Sequence, residues 1–207
     1  VIPCGNCLPM PQPTRGFSIR FLNASPVHSN LTIQVDNRTI LTNMDFAEVS
    51  RYRQYSRGFH RITIMAPNGL VYLQQNMFFG YNSTIAIVSI NNRMAINAFP
   101  DGGCNTSFNT SCLRVCNLSL NLGPFDVSIG NQNTSYTAFS NVRYREVTPY
   151  TSFYPGWYQL YISRTGSYPN TSVATTSANM SANTSYTLYI FNAPNATDGL
   201  KTLVVSN

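Results

Sequence analysis

Apolar and polar residues alternate over short stretches with a period of two, the pattern of strands that bury one face. Residues 17–22 alternate, and residues 31–35 place Leu31, Ile33 and Val35 on one side. Asp36-Asn37 then reads as a hairpin turn into residues 39–42. Residues 46–55 form a further extended run. Residues 59–65 alternate around Ile62 and Ile64, Pro67-Asn68-Gly69 signals a turn, and residues 70–73 answer as the partner strand. Residues 84–90 and 93–98, joined at Asn91-Asn92, complete the set. No long segment carries apolar residues at helical spacing.

The same order then recurs. Leu113-Arg114-Val115 lies over Ile19-Arg20-Phe21, which brings Asn117 onto Asn23 and Ser119 onto Ser25. Residues 125–129 follow 31–35, 144–150 follow 46–52, 156–162 follow 58–64, and 183–190 follow 82–89. The offset grows from 94 to 98 to 101 residues, as it does when insertions collect in loops. Short strands separated by turn residues predict an all-β chain of two tandem β-sandwiches. The first spans 17–100 and the second 112–207, with 101–111 as a linker. Residues 1–16 contain four prolines and form a stiff, extended arm. At about 3.3 Å per residue the arm spans roughly 50 Å, more than a domain's width. Its Cys4, Cys7, Val1, Ile2, Leu8 and Met10 are therefore candidates for contact with a neighbouring subunit.

Composition narrows the setting. Charged residues make up 10% of the 207, against about 25% in ordinary soluble domains, and Asn, Ser and Thr stand in their place. The net charge of +6 comes almost wholly from arginine, since Lys201 is the single lysine. Arg51, Arg53, Arg57 and Arg61 cluster, as do Arg143 and Arg145. Such a cluster is either a patch for an acidic glycan or nucleic acid, or the solvent face of a strand. No stretch reaches the roughly 20 apolar residues of a membrane helix. No leader precedes Val1, so the chain reads as starting at a processed terminus or as exported without one.

Twelve Asn-x-Ser/Thr signals begin at Asn23, Asn30, Asn37, Asn82, Asn105, Asn109, Asn117, Asn133, Asn170, Asn179, Asn183 and Asn195. Composition alone gives about five, and the excess points to an extracellular chain carrying N-linked sugar. This setting argues against nucleic acid as a partner. The cysteines are Cys4, Cys7, Cys104, Cys112 and Cys116. In an oxidising compartment an odd count leaves one thiol free or bonded to another chain. The simplest local loop joins Cys104 to Cys112 or Cys116. Cys4-x-x-Cys7 has zinc-ligand spacing, but no matching second pair lies nearby. Pro9, Pro11 and Pro13 exclude the helix that follows a redox Cys-x-x-Cys.

These landmarks resemble a family of secreted and surface β-domains, often in tandem, called domain of unknown function 4397. Its V-R-x-x-H-A-S-P pattern is similar to Ile19-Arg20-Phe21-Leu22-Asn23-Ala24-Ser25-Pro26, with Asn23 in place of the His. Its later motifs match residues 31–37, Glu48-Val49-Ser50-Arg51-Tyr52 and residues 58–64. The second copy lacks the Ala-Ser-Pro. The resemblance implies immunoglobulin- or transthyretin-like sandwiches in an extracellular setting, without an established catalytic activity.

Candidate chemistry is sparse. Seven carboxylates and two histidines, His28 and His60, show no calcium loop, phosphate loop or nucleophile elbow. His60 is expected to make a surface or cross-strand contact, and Trp157, aligned with Phe59, is expected in the core. The chain is read as non-enzymatic, with no metal and no cofactor. Two functional readings follow. In the first, it is a structural subunit of a glycosylated extracellular filament, sheath or coat. Two sandwiches in series would join head to tail through the arm, by strand addition or inter-chain disulfides. The alternative is a monomeric surface adhesin that holds glycans with the Arg51 to Arg61 cluster and exposed Tyr or Trp157.

Overall fold

A computed structural model of the chain describes residues 16–104, 109–130, 134–167, 171–193 and 199–207. Sixteen strands and no helix occur among them. In the first repeat these are β1 (Phe17–Asn23), β2 (Leu31–Val35), β3 (Arg38–Met44), β4 (Arg53–Tyr55), β5 (Gly58–Met65), β6 (Val71–Phe79), β7 (Ser83–Ile90) and β8 (Arg93–Pro100). The second repeat supplies β9 (Ser111–Asn117), β10 (Phe125–Gly130), β11 (Ser135–Val142), β12 (Thr151–Phe153), β13 (Gly156–Arg164), β14 (Ser172–Met180), β15 (Ser185–Asn192) and β16 (Leu200–Ser206).

Each repeat folds into two four-stranded sheets. The first has sheets ordered β4-β1-β7-β8 and β3-β2-β5-β6, and the second repeats this as β12-β9-β15-β16 and β11-β10-β13-β14. The repeat therefore extends to the hydrogen-bond map. In both copies the first strand lies parallel to the seventh, and the named pairings of the other strands are antiparallel. One apolar cluster, containing Phe21, Ile33, Ile62, Ile64, Ile85 and Ile87, fills the first sandwich. Its counterpart, containing Val115, Val127, Leu160, Ile162, Leu188 and Ile190, fills the second. The alternating residues of β2 and β5 supply these inward faces, as the period of two requires.

A third cluster joins the repeats. Leu22, Ala24, Ala86, Val88 and Phe99 of the first pack against Cys116, Leu118, Tyr189 and Phe191 of the second. Phe46 meets Phe191 edge to face across this seam, with ring centroids 5.5 Å apart. The molecule is thus a stack of four sheets, and the two sheets holding β1 and β9 are buried on both faces. That is why β7 reads as a nearly continuous apolar run, as strands buried on both faces do. The arrangement corrects the expectation of sandwiches in series. An end-to-end chain would leave Leu22, Ala86 and Phe191 in water, at a cost of about 25 cal/mol per Å² of apolar surface.

Two other expectations change. Of the run 46–55, only Arg53–Tyr55 forms a strand, and residues 144–150 contribute a single bridge between Val147 and Cys116. The cause is a tight turn present in both copies. Ala47 and Arg145 take positive φ, and the carboxylates of Glu48 and Glu146 accept hydrogen bonds from the amides of Asp45 and Arg143, each at 2.8 Å.

Candidate functional site

The outward face of β5 and β6 holds the most exposed aromatic pair of the first repeat. His60, Ile62 and Ile64 point inward, so Phe59 and Arg61 must point out. Phe59 is 76% exposed and Phe78, directly opposite on β6, is 44% exposed. Their rings meet edge to face with centroids 5.3 Å apart, and the Arg57 guanidinium lies 5.8 Å from the Phe78 centroid. Two exposed Phe side chains in contact form a small apolar patch on an otherwise polar sheet face.

Beside Phe59 lies a hollow of about 310 Å³ lined by Asp36, Asn37, Phe59, Arg61 and Asn76. Asp36 and Asn37 form the two-residue turn between β2 and β3, with φ of 52° and 62°. Positive φ at both positions is what such a hairpin needs, and Asp and Asn tolerate it. Each oxygen of the Asp36 carboxylate has a partner within the chain. Its Oδ1 accepts the Arg61 amide at 2.9 Å, and its Oδ2 lies 2.6 Å from His60 Nδ1. Burial alone would raise the Asp36 pKa. The hydrogen bonds from His60 and the Arg61 amide, with the electrostatic pull of His60 and Arg38, outweigh it and hold the carboxyl below its usual range.

Of the two roles expected for His60, a surface or a cross-strand contact, it takes the cross-strand one. It is buried, its Nε2 lies 2.9 Å from the Ser56 carbonyl oxygen, and its ring stacks on Phe79 at 4.6 Å. Through Asp36 it holds one lining residue of the hollow in place. With Asp36 occupied, the rim groups that have no hydrogen-bond partner among the described residues are the Arg61 guanidinium and the amides of Asn37 and Asn76. The hollow therefore offers an apolar ring, one guanidinium, two amides and the half-exposed Asp36 carboxylate, a set that suits a ligand with a C–H face, hydroxyls and an anionic group turned to the Arg61 side.

The second repeat presents the same positions differently. Trp157 stands where Phe59 does and is 52% exposed, so its predicted place in the core is corrected. The alignment with Phe59 holds, but both residues occupy the outward register of their strands. Opposite Trp157 lies Asn179, and the next outward pair is Gln159 with Ser177. The arginine of the first repeat has no counterpart there. Of the remaining cluster, Arg53 donates to the Ile40 carbonyl at 2.8 Å, and Arg51, Arg143 and Arg145 are exposed away from the hollow's lining.

The seam holds a second constellation that strand alternation does not reveal. Arg20 donates through Nε to Thr84 Oγ1 at 2.8 Å, through Nη1 to the Ser206 carbonyl at 2.7 Å and through Nη2 to Asn207 Oδ1 at 2.5 Å. Arg114 mirrors it, donating to Thr187 Oγ1 at 2.9 Å, the Pro100 carbonyl at 2.6 Å and Asp101 Oδ1 at 2.8 Å. Tyr52 and Tyr150 lie over the two guanidiniums at 4.5 and 4.8 Å. Each repeat thus clamps the end of the other's last strand. The two buried cations share one buried carboxylate, Asp101, whose Oδ2 accepts from Tyr52 at 2.8 Å and from Thr84 at 2.5 Å. The signal in the sequence was the superposition of Arg114 on Arg20.

Other candidates fall as follows. Cys104 and Cys112 form a disulfide, and Cys116 is a buried thiol whose pKa burial pushes up. Cys4, Cys7, Val1, Ile2, Leu8 and Met10 lie outside the described residues, as do Asn105, Asn133, Asn170 and Asn195. Asn23 and Asn117 are fully buried, and their amides donate to the carbonyls of His28 and Val142. They cannot carry sugar in the folded chain. Asn30, Asn37, Asn82, Asn109, Asn179 and Asn183 are exposed. His28 Nδ1 lies 2.8 Å from Ser25 Oγ and 3.2 Å from Ser89 Oγ, and no carboxylate bonds to its ring among the described residues. The group anchors the turn after β1. No three metal-ligating side chains cluster among the described residues, and no helix is long and apolar enough to cross a membrane.

The fold and this face define a tandem β-sandwich protein with an exposed aromatic and arginine surface. Residues 17–128 and 111–207 match the family described as domain of unknown function DUF4397, and the chain belongs to that family. No curated protein matches it. Three similar solved structures, from Bacteroides uniformis, Bacteroides fragilis and Bacteroides eggerthii, are each described as a "putative cell adhesion protein". Their identities are 9%, 8% and 7%, with TM-scores of 0.28, 0.27 and 0.27. The alignments cover 93%, 93% and 98% of this chain and 98%, 97% and 97% of theirs. At this distance the likeness carries no argument about function.

Proposed function

We propose that the protein is a non-enzymatic, N-glycosylated cell-surface or secreted adhesin that holds an acidic glycan in the hollow beside Phe59. The observation that carries this reading is the exposed Phe59 ring set against the Arg61 guanidinium, which has no hydrogen-bond partner among the described residues, with Asn37 and Asn76 on the rim. A pyranose places an apolar C–H face on such a ring, its carboxylate reaches the guanidinium, and its hydroxyls exchange hydrogen bonds with the amides. Arg57 adds positive potential beside Phe78 and steers the anion inward. The filament reading rests on an arm that lies almost wholly outside the described residues, and it draws no support from the rest of the chain.

The test is titration calorimetry with uronic-acid-containing oligosaccharides and their neutral, carboxyl-reduced counterparts. The acidic sugars should bind, and the neutral ones at least about tenfold more weakly, the discrimination one charge-assisted hydrogen bond provides. Phe59→Ala and Arg61→Ala should each weaken binding by a similar factor. Equal binding of acidic and neutral sugars, or full binding by both variants, refutes the proposal.

A further inference from the structure

Trp157 and Asn179 face each other directly across β13 and β14. Both point outward, because their strand neighbours Tyr158, Leu160, Ala178 and Met180 belong to or pack against the core of the second sandwich. Directly opposed residues have Cβ atoms about 4.5–5.5 Å apart. Trp157 is half exposed, and its indole is the largest side chain on this face. Asn179 begins the acceptor signal Asn179-Met180-Ser181, and both Asn179 and Ser181 are exposed. The adjacent outward position is Ser177, a small residue opposite Gln159, which leaves room above the sheet.

We infer that the first sugar of an N-linked glycan on Asn179 lies on the Trp157 indole. The glycan's stem is the Asn179 amide nitrogen, and its first ring leaves that stem within one side chain's length of the indole. The apolar face of N-acetylglucosamine or a similar hexosamine then covers the exposed part of the ring. In the first repeat the equivalent of Asn179 is Phe78, so no attached sugar can reach Phe59 from that position. The duplication has thus set an acceptor asparagine directly opposite one aromatic and a second phenylalanine directly opposite the other. This inference rests on the reading of the chain as N-glycosylated, and not on ligand binding beside Phe59.

Trp157 is the chain's one tryptophan, so intrinsic fluorescence reports this position alone. The experiment takes the full chain secreted by its native source and maps glycopeptides by mass spectrometry. It then records Trp emission and acrylamide quenching before and after enzymatic removal of N-glycans. Asn179 is expected to be occupied. Quenching of the glycosylated chain should be roughly twofold weaker, because a sugar covers one of two indole faces, and deglycosylation should shift emission to longer wavelength. Ser181→Ala, which removes the signal but keeps Asn179, should show the deglycosylated spectrum throughout. An unoccupied Asn179 with sugar at Asn30, Asn37, Asn82, Asn109 or Asn183 overturns the inference alone. A chain without any N-glycan overturns the glycosylation reading with it. Occupancy without any change in Trp157 emission or quenching refutes the packing.

Discussion

The two arginines at the seam share one carboxylate, and Asp101→Asn tests what that carboxylate does. The substitution keeps the shape and one acceptor oxygen. Tyr52 and Thr84 donate to Asp101 Oδ2, but their hydroxyls can rotate to accept instead. What disappears is the negative charge beside Arg114, at 2.8 Å, and Arg20, at 3.9 Å. Both guanidiniums are buried, so the variant holds two uncompensated cations in the middle of the stack. Breaking a buried ion pair costs about 3–5 kcal/mol, and the surviving hydrogen bonds favour the lower end. That is a large part of a total stability of about 5–15 kcal/mol. Urea unfolding followed by far-ultraviolet circular dichroism measures it. The pseudo-symmetric position supplies the control. Asn207 donates to Tyr150 at 2.6 Å and Thr187 at 2.9 Å, both hydroxyls that can turn to donate to a carboxylate. Asn207→Asp in the Asp101→Asn background should therefore restore stability to within about 1 kcal/mol of the parent, by coupling within one network. A loss below about 1 kcal/mol in the single variant, or no recovery in the double one, refutes the account.

Two further outcomes follow from the structure. The Cys104–Cys112 bond closes a loop of sequence separation 8, for which loop-closure entropy gives about 2.5 kcal/mol. Cys104→Ser should lower the urea midpoint accordingly, and reductant should lower the parent to the same value; a midpoint indifferent to both would contradict it. Asp36 has a folded pKa below its unfolded value of about 3.9. Its contribution to stability is therefore complete above that unfolded value and disappears as pH falls through the folded one. Asp36→Asn should be less stable than the parent at neutral pH, with the gap closing below about pH 4. A gap independent of pH between 7 and 2 would show that the carboxylate charge is not the cause.

The strands were legible because one residue in two had to face a core, and Leu31, Ile33, Val35 and Ile62 declare that face directly. The duplication was legible for the same reason. Alternation assigns residues to two sides of a strand but does not say what covers the second side. Arg20 and Arg114 were therefore unremarkable strand arginines until the inner sheets met, and Asp101 was one polar residue in a Gly-rich connection. Trp157 failed in the opposite direction, since bulk and alignment with Phe59 suggested burial while its register put it outside. For His60 the pattern left a surface and a cross-strand contact open, because it did not show that Phe79 and Asp36 would enclose the ring. The hollow itself joins a turn, β5 and β6, at positions 36–37, 59–61 and 76, which a linear pattern does not connect.

Because the four sheets lie one on another, the faces bearing Phe59 and Trp157 look in opposite directions. With adjacent sheets about 10 Å apart, they are separated by roughly 30 Å of protein. The molecule is a tile with two unlike sides. One side sets a bare phenylalanine beside a guanidinium, and the other sets the tryptophan opposite an asparagine.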